Sequence, residues 1–280
     1  MSGDATPVVS LAGVGKTFGT GAAATTALTD ISLEIGQGEF VSLIGPSGCG
    51  KSTLLRLIGD LTEPTSGKVL VNGKPARLAR LSREYGMVFQ SPVLFDWRTV
   101  EENVRLPLEL LGQGRTAQSA RTAEMLKLVD LTDFARYHPY QLSGGMQQRV
   151  AIARALAFSP LLLLMDEPFG ALDEMTRERM NSEVLNIWQQ TGITVVFVTH
   201  SIPEAVFLST RVVVMSARPG RVTRVVDVDL PQPRGLLTRE SARYFSLITE
   251  VREALRSGEG ATPDTGLASH ERTAAEGGIG

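Results

Sequence analysis

The chain has 280 residues, enough for one large domain or two ordinary ones. Its formal net charge of −2 gives no basic excess, so a general affinity for nucleic-acid backbone has no support in composition. The single cysteine, Cys49, excludes an intrachain disulfide, and the longest purely aliphatic run is only 161–165, so the expectation is a soluble chain that reaches a membrane through a partner. Residues 1–7 have neither a basic start nor an apolar core, which predicts no signal peptide. In chain order, 8–14 and 31–35 read as strands joined by the Gly/Ala/Thr-rich loop 19–27, and 40–44 as a short buried strand. Leu54, Leu55, Leu57 and Ile58 form the packed face of a helix, 67–71 is a strand ending in the turn Asn72-Gly73, and 85–90 is another strand. Helices follow at 100–111, with Pro107 as a kink or break, at 116–131, and at 144–157. Next come a buried strand at 161–165, a helix with Met180, Val184, Ile187 and Trp188 on its inner face, and strands at 193–199 and 212–215 around a short helix at 204–209. A last helix spans 238–255, and 258–280 has almost nothing large and apolar, which predicts a disordered tail. Strands alternating with helices imply a mostly parallel sheet covered on both faces.

Between the strand 40–44 and the apolar helix lies Gly45-Pro46-Ser47-Gly48-Cys49-Gly50-Lys51-Ser52-Thr53. Strand, glycine-rich turn and helix with Gly-x-x-x-x-Gly-Lys-Ser make the phosphate-cradling P-loop. Gly45, Gly48 and Gly50 let the backbone curl so that several N–H groups point inward at a polyphosphate. The helix starting near Lys51 adds free N–H groups and its positive dipole end. Lys51 supplies a charge for the β- and γ-phosphates, and Ser52 a hydroxyl for Mg²⁺. Cys49, beside Lys51 and a helix N-terminus, stands where a thiolate is favoured, which predicts a reactive thiol. Gly15-Lys16-Thr17 imitates the end of a P-loop, but Ser10 stands where the first glycine should be and no helix pattern follows.

Asp166 and Glu167 end the buried run 162–165, at the strand edge where doubly wound sheets bind ligands. Beside a P-loop, Asp166 is placed to hold Mg²⁺ and Glu167 to orient and deprotonate a water attacking the γ-phosphate. Taken alone, the pair reads also as an acidic turn ahead of Pro168 that caps a helix. Ser143-Gly144-Gly145, opening a helix, is a second anion site or an ordinary serine N-cap.

The full run Leu142-Ser143-Gly144-Gly145-Met146-Gln147-Gln148 resembles the signature motif of the ATP-binding cassette (ABC) ATPases, and that family's other motifs follow in order over residues 8–228. The resemblance implies an α/β P-loop NTPase fold: a RecA-like, mostly parallel sheet core, a small antiparallel β region and a helical insertion at about 91–158, all within a nucleotide-binding domain at 1–257. It implies hydrolysis of MgATP to ADP and phosphate by in-line attack of water, with Lys51 and the loop N–H groups carrying transition-state charge and Glu167 as base. Gln90 resembles the Q-loop glutamine that reaches Mg²⁺ and the attacking water. Ala171-Leu172-Asp173 resembles the D-loop, and His200 the switch histidine that contacts the γ-phosphate. Phe18 occupies the place of an aromatic that stacks on adenine. As plain residues, Phe18 reads also as core, Gln90 as a strand-end amide, Asp173 as a helix cap and His200 as a satisfied histidine at a strand end.

In this family two cassettes pair head to tail, so that Ser143, Gly144 and Gly145 of one close over ATP on the other's P-loop. One complete set of motifs therefore implies a homodimer with a two-fold axis. The stretch 91–100 resembles the nitrate/sulfonate/taurine importer branch in its Trp97-Arg98-Thr99-Val100, with Phe95-Asp96 in place of the more usual Leu-Pro. This implies an importer ATPase bound peripherally at the cytoplasmic face of the cell membrane, with separate transmembrane permease subunits and, indirectly, a solute-binding protein; no nucleic acid is implied. The solute would be nitrate-, sulfonate- or taurine-like, or a thiamine or pyrimidine precursor. Phe95 and Trp97, close after Gln90, would form a socket for a partner helix, or else pack the helical insertion. The rival readings are the ATPase of an exporter or lipoprotein-extraction complex, and a soluble ABC ATPase acting on nucleic acid or the ribosome.

Overall fold

The computed structural model describes residues 6–259. β1 (Val9–Phe18), β2 (Thr25–Ile35), β4 (Ser66–Val71) and β5 (Lys74–Pro75) form an antiparallel sheet in the order β2-β1-β4-β5. β3 (Phe40–Ile44), β6 (Tyr85–Val88), β7 (Leu162–Asp166), β8 (Thr194–Val198), β9 (Arg211–Met215) and β10 (Val222–Asp227) form a second sheet in the order β10-β9-β3-β8-β7-β6. Its strands are parallel except for β10, which runs antiparallel to β9. The helices are α1 (Lys51–Ile58), α2 (Ala76–Leu81), α3 (Val100–Leu110), α4 (Arg115–Leu128), α5 (Gly144–Leu156), α6 (Glu174–Thr191), α7 (Ile202–Leu208), α8 (Leu236–Arg239) and α9 (Ala242–Glu259). No helix among the described residues is long and apolar enough to cross a membrane.

The central strands read as unbroken apolar runs because both of their faces are buried. Successive side chains point to opposite faces. Leu163 and Met165 of β7, Val195 and Phe197 of β8, and Val212 and Val214 of β9 enter a core shared with α3 to α7 and α9. Their neighbours Leu162, Leu164, Val196, Val198 and Val213 enter a second core built with α1 and the antiparallel sheet. The central strands β3, β7, β8 and β9 are thus sandwiched, and their ends are what is open to a ligand.

Register fixes which ends meet. Leu43 of β3 pairs with Val198 of β8, and Val198 pairs in turn with Asp166 of β7. The P-loop, the Asp166-Glu167 pair and His200 therefore leave the sheet side by side. After β3 the next strand of this sheet, β6, lies at the far edge, so the carboxyl end of β3 is a topological switch point, where open α/β sheets bind ligands.

Several elements differ from the sequence expectation. β1 runs on to Phe18 and β2 begins at Thr25, so the expected loop 19–27 is a shorter turn. β6 ends at Val88 and leaves Gln90 in a bend. β10 lies on the sheet edge with only Val226 buried, and α2 is a six-residue helix, so neither shows a clear period in the sequence. α3 runs through Pro107 without a break, started by a capping box in which Thr99 Oγ1 accepts from the Glu102 N–H and Glu102 Oε2 accepts from the Thr99 N–H. The expected helix 238–255 is two helices, because Ser241 Oγ accepts from the Tyr244 N–H and starts α9 afresh. α9 continues to Glu259, and the expected disordered tail otherwise lies outside the described residues.

Candidate active site

The P-loop is shaped by its glycines and closed by its lysine. Gly50 precedes α1 with φ +106°, and a Cβ there would come within 2.6 Å of Leu28 Cδ2. Only glycine combines that backbone with that approach. Lys51 is 6% exposed and donates from Nζ to the carbonyls of Gly45 at 2.8 Å and Pro46 at 3.1 Å. A buried ammonium held by carbonyl oxygens is poised to exchange them for phosphate oxygens, a stronger charge-assisted bond. Ser52 Oγ donates to Asp166 Oδ1 at 2.7 Å, tying the loop's helix to β7.

Glu167 takes a left-handed backbone, φ +46°, and its N–H donates to Val198 O at 3.1 Å, extending the ladder one residue past β7. For a non-glycine residue this conformation costs on the order of 1–3 kcal/mol and persists only where its surroundings hold it. It turns the carboxylate toward His200, whose Nδ1 lies 3.5 Å from Glu167 Oε2. Gln90 reaches the same corner: a Cβ on Gly170 would sit 3.2 Å from Gln90 Nε2 and 3.8 Å from Glu167 Oε2. Three residues spread from position 90 to position 200 thus meet at one corner.

A cavity of about 380 Å³ opens over this loop. Of the residues singled out in the sequence, Phe18, Ser47, Gly48, Gly50, Lys51, Ser52, Thr53 and Glu167 line it. Phe18 is 46% exposed, with Lys16 Nζ 4.9 Å from its ring centroid, so the core reading of Phe18 does not hold. Arg218, Thr25 and Ala27 also line the cavity and had no motif to mark them.

Cys49 corrects an expectation. Its side chain is fully buried in the core beneath the loop, among residues that include Leu54 and Met215. Burial pushes its thiol above the ordinary value, outweighing the Lys51 charge beside it. Cys49 can face a phosphate only through its backbone, and its thiol is not the reactive thiolate expected.

The second anion motif lies elsewhere. Ser143 N-caps α5, its Oγ accepting from the Met146 N–H at 3.3 Å. Ser143 and Gly145 line a separate cavity of about 440 Å³ with Arg149, Thr176 and Arg179, and it shares no residue with the P-loop cavity. Gly144 is exposed beside Leu172 Cδ2, 3.5 Å from where its Cβ would be. Asp173 caps α6 through the Thr176 N–H, a bond that holds its carboxyl below the ordinary range, so the helix-cap reading describes its contacts within this chain.

α5 also holds the segment after β6. Gln148 Nε2 donates to Phe89 O at 3.0 Å, and Arg154 donates to Pro92 O and Val93 O at 2.9 and 2.8 Å. The fully buried Asn103 of α3 accepts from the Phe95 N–H at 2.9 Å and donates to Phe95 O at 3.1 Å. These clamps leave Trp97 75% exposed, its ring 4.8 Å from that of Phe95, which is half-buried. Trp97 does not pack the helical region, and His138 and Tyr140 stack nearby, His138 Nδ1 lying 3.3 Å from Asp96 O.

Sheet, switch point and loop together make a P-loop nucleotide-hydrolysing cassette. The family model described as ABC transporter matches residues 28–170, just over half of the chain. An uncharacterized ABC transporter ATP-binding protein of Methanocaldococcus jannaschii is 50% identical over 225 residues, 80% of this chain and 84% of that protein. The aliphatic sulfonates import ATP-binding protein SsuB of Bacillus cereus is 44% identical over 226 residues, 81% of this chain and 88% of that protein. Among solved structures, an ATP-binding cassette in a dimeric post-hydrolysis state bound to ADP and Pi matches with a TM-score of 0.69 and 39% identity, covering 81% of this chain and 100% of that one. The chain belongs to the ABC transporter family, and it is an ATPase subunit of that family.

Proposed function

We propose that this chain is the ATPase subunit of a membrane importer for a small solute, acting as a homodimer bound to separate membrane-spanning subunits at the cytoplasmic face. The importer reading is supported by the relative named as an aliphatic sulfonates import ATP-binding protein, and the dimer by the dimeric cassette structure. The observation that carries membrane coupling is Trp97: a large aromatic left 75% exposed by a loop that Asn103 and Arg154 otherwise hold firmly. Exposed aromatics on a firm support suit a partner helix laid across them.

Within the cassette, adenine stacks on Phe18, the polyphosphate lies in the P-loop, and Lys51 trades its carbonyl partners for phosphate oxygens. Ser52 Oγ and Asp166 Oδ1, 2.7 Å apart, are hard oxygen donors that fit Mg²⁺, an ion that takes one or two protein oxygens beside phosphates and water. When bound, that ion neutralises charge on the phosphate oxygens. Glu167 draws the proton from the attacking water, and His200 and Gln90 hold that water in place. Ser143, Gly144 and Gly145 of the second copy complete the site, since within one chain Ser143 and Gly145 line a different cavity and Gly144 is exposed.

The test is purification from native membranes. The chain should be recovered with a multi-span membrane protein, and the reconstituted complex should move solute inward on ATP addition. Recovery with no membrane protein, or ATP-driven movement outward only, would overturn the importer reading.

A further inference from the structure

The turn joining β9 to β10 is docked on the P-loop. The Gly220 N–H donates to Ala27 O at 2.9 Å, and the Thr29 N–H donates to Gly220 O at 3.0 Å. A Cβ on Gly220 would stand 2.0 Å from Cys49 O, so the two backbones touch at a spot no other residue could occupy. Within the turn, the Ser216 N–H donates to Arg221 O at 2.9 Å and Ser216 Oγ accepts from the Arg221 N–H at 3.0 Å. The base of the turn is therefore hydrogen-bonded to β2 and packed against Cys49 of the loop that cradles phosphate.

Arg218 projects from this fixed turn. It lines the same cavity as Phe18, Ser47 and Lys51, and its Nε donates to Gly48 O at 3.2 Å. Its guanidinium lies against the loop, with Nη2 3.6 Å from the Cβ position of Gly48. A guanidinium has five N–H donors in a planar fork, and the bond to Gly48 takes one of them. The others belong to a permanent cation at the rim of a phosphate cradle, a geometry suited to bidentate contact with phosphate oxygens.

We propose that Arg218 is a further ligand of the bound nucleotide, contacting its polyphosphate across the rim of the P-loop. This rests on the reading of the cavity as the MgATP site. The competing role is structural: Arg218 could matter only through its bond to Gly48 O.

Three variants separate the two, with MgATP affinity measured by calorimetry on the full-length chain. Arg218→Gln keeps an N–H for the Gly48 carbonyl and removes the charge. Arg218→Lys keeps the charge, and Arg218→Ala removes both. Loss of a charge-assisted contact should weaken MgATP binding by about ten-fold or more in the Gln and Ala variants. The Lys variant keeps the charge but loses the planar fork, so its affinity should fall between those of wild type and the Gln variant, and the Tm of the nucleotide-free chain should not move. Wild-type affinity in Arg218→Gln would overturn the assignment in favour of the hydrogen-bond clamp. Equal weakening in all three with a lowered nucleotide-free Tm would overturn it in favour of loop packing. A wild-type chain that binds no MgATP at all would remove the nucleotide reading itself, a result distinct from either.

Discussion

The P-loop cavity and the signature cavity are built to different degrees of completion. In the first, each charged group already has a partner: Lys51 on the loop carbonyls, Asp166 on Ser52, Glu167 beside His200. In the second, the Ser143 side chain makes no hydrogen bond among the described residues beyond capping α5, and Gly144 is exposed. The first holds its own chemical groups in place, and the second leaves its motif open. A motif that builds little where it stands suits another molecule, and in the function proposed above that molecule is a second copy of the chain.

The largest effect should come from the self-contained half. Glu167→Gln should lower kcat by about 10²–10⁴-fold, the scale of a general base, with MgATP affinity kept because the P-loop is intact. The variant should accumulate as a dimer when MgATP is added, read by light scattering. Near-normal turnover would falsify its role as base. For the open half, Ser143→Arg should leave MgATP affinity of the isolated chain near wild type yet lower hydrolysis about a hundred-fold, the scale for removing one preorganised donor. A variant that loses affinity in the monomer would mean the signature serves its own chain's nucleotide, and the comparison would break.

Phe18 and Trp97 set the same contrast at lower stakes. Phe18→Ala should weaken MgATP by ~1–3 kcal/mol, the range for a base stacked on an aromatic ring, with kcat little changed. Trp97→Ala should weaken assembly with the membrane subunits by about ten-fold or more, the scale of an interface anchor. At 75% exposure its loss should leave the melting temperature of the isolated chain nearly unmoved, where a core aromatic would cost ~3–5 kcal/mol. A marked drop in Tm, or full assembly and transport in the variant, would sink the coupling role.

What the sequence revealed tracks how contiguous each feature is. The P-loop is nine residues in a row between a strand and a helix, so the motif carries its own context. The carboxylate pair was legible because β7 is an unbroken apolar run that ends at it. Orientation was not. Cys49 reads as a reactive thiol from its neighbours Lys51 and α1, yet the curl of the loop sends Sγ into the core and burial dominates. Arg218 was invisible because β9 and β10 bring it to the P-loop from 170 residues away, although an Arg-Pro-Gly turn after a strand was a signal available to be weighed. The clamps on the segment after β6 were equally hidden: Asn103 and Arg154 bind backbone carbonyls, and such contacts leave no pattern in side-chain spacing.

The smallest expected effect lies behind His200, in the layer that supports the complete site. Glu204 of α7 is buried, and its Oε2 is hydrogen-bonded to the Thr199 hydroxyl, while Oε1 has no partner among the described residues. Burial holds its carboxyl above the ordinary glutamate range, more than Thr199 and the nearby Arg177 lower it. The sign for stability follows. In the unfolded chain Glu204 loses its proton near the ordinary glutamate value, while in the folded chain it keeps the proton to higher pH. Folded protein then binds more protons than unfolded, so this group makes stability fall as pH rises from the ordinary value through the folded one. Above that window a constant destabilisation remains. Glu204→Gln preserves a group that can accept from Thr199 but cannot ionise, so it should remove this slope and raise Tm by a few degrees at pH 8 relative to wild type, with little difference near pH 4. Melting curves of both proteins over that range provide the check. A variant less stable at pH 8 than at pH 4, relative to wild type, would mean that Glu204 is held ionised by Arg177, and that the P-loop site is braced by a buried charge.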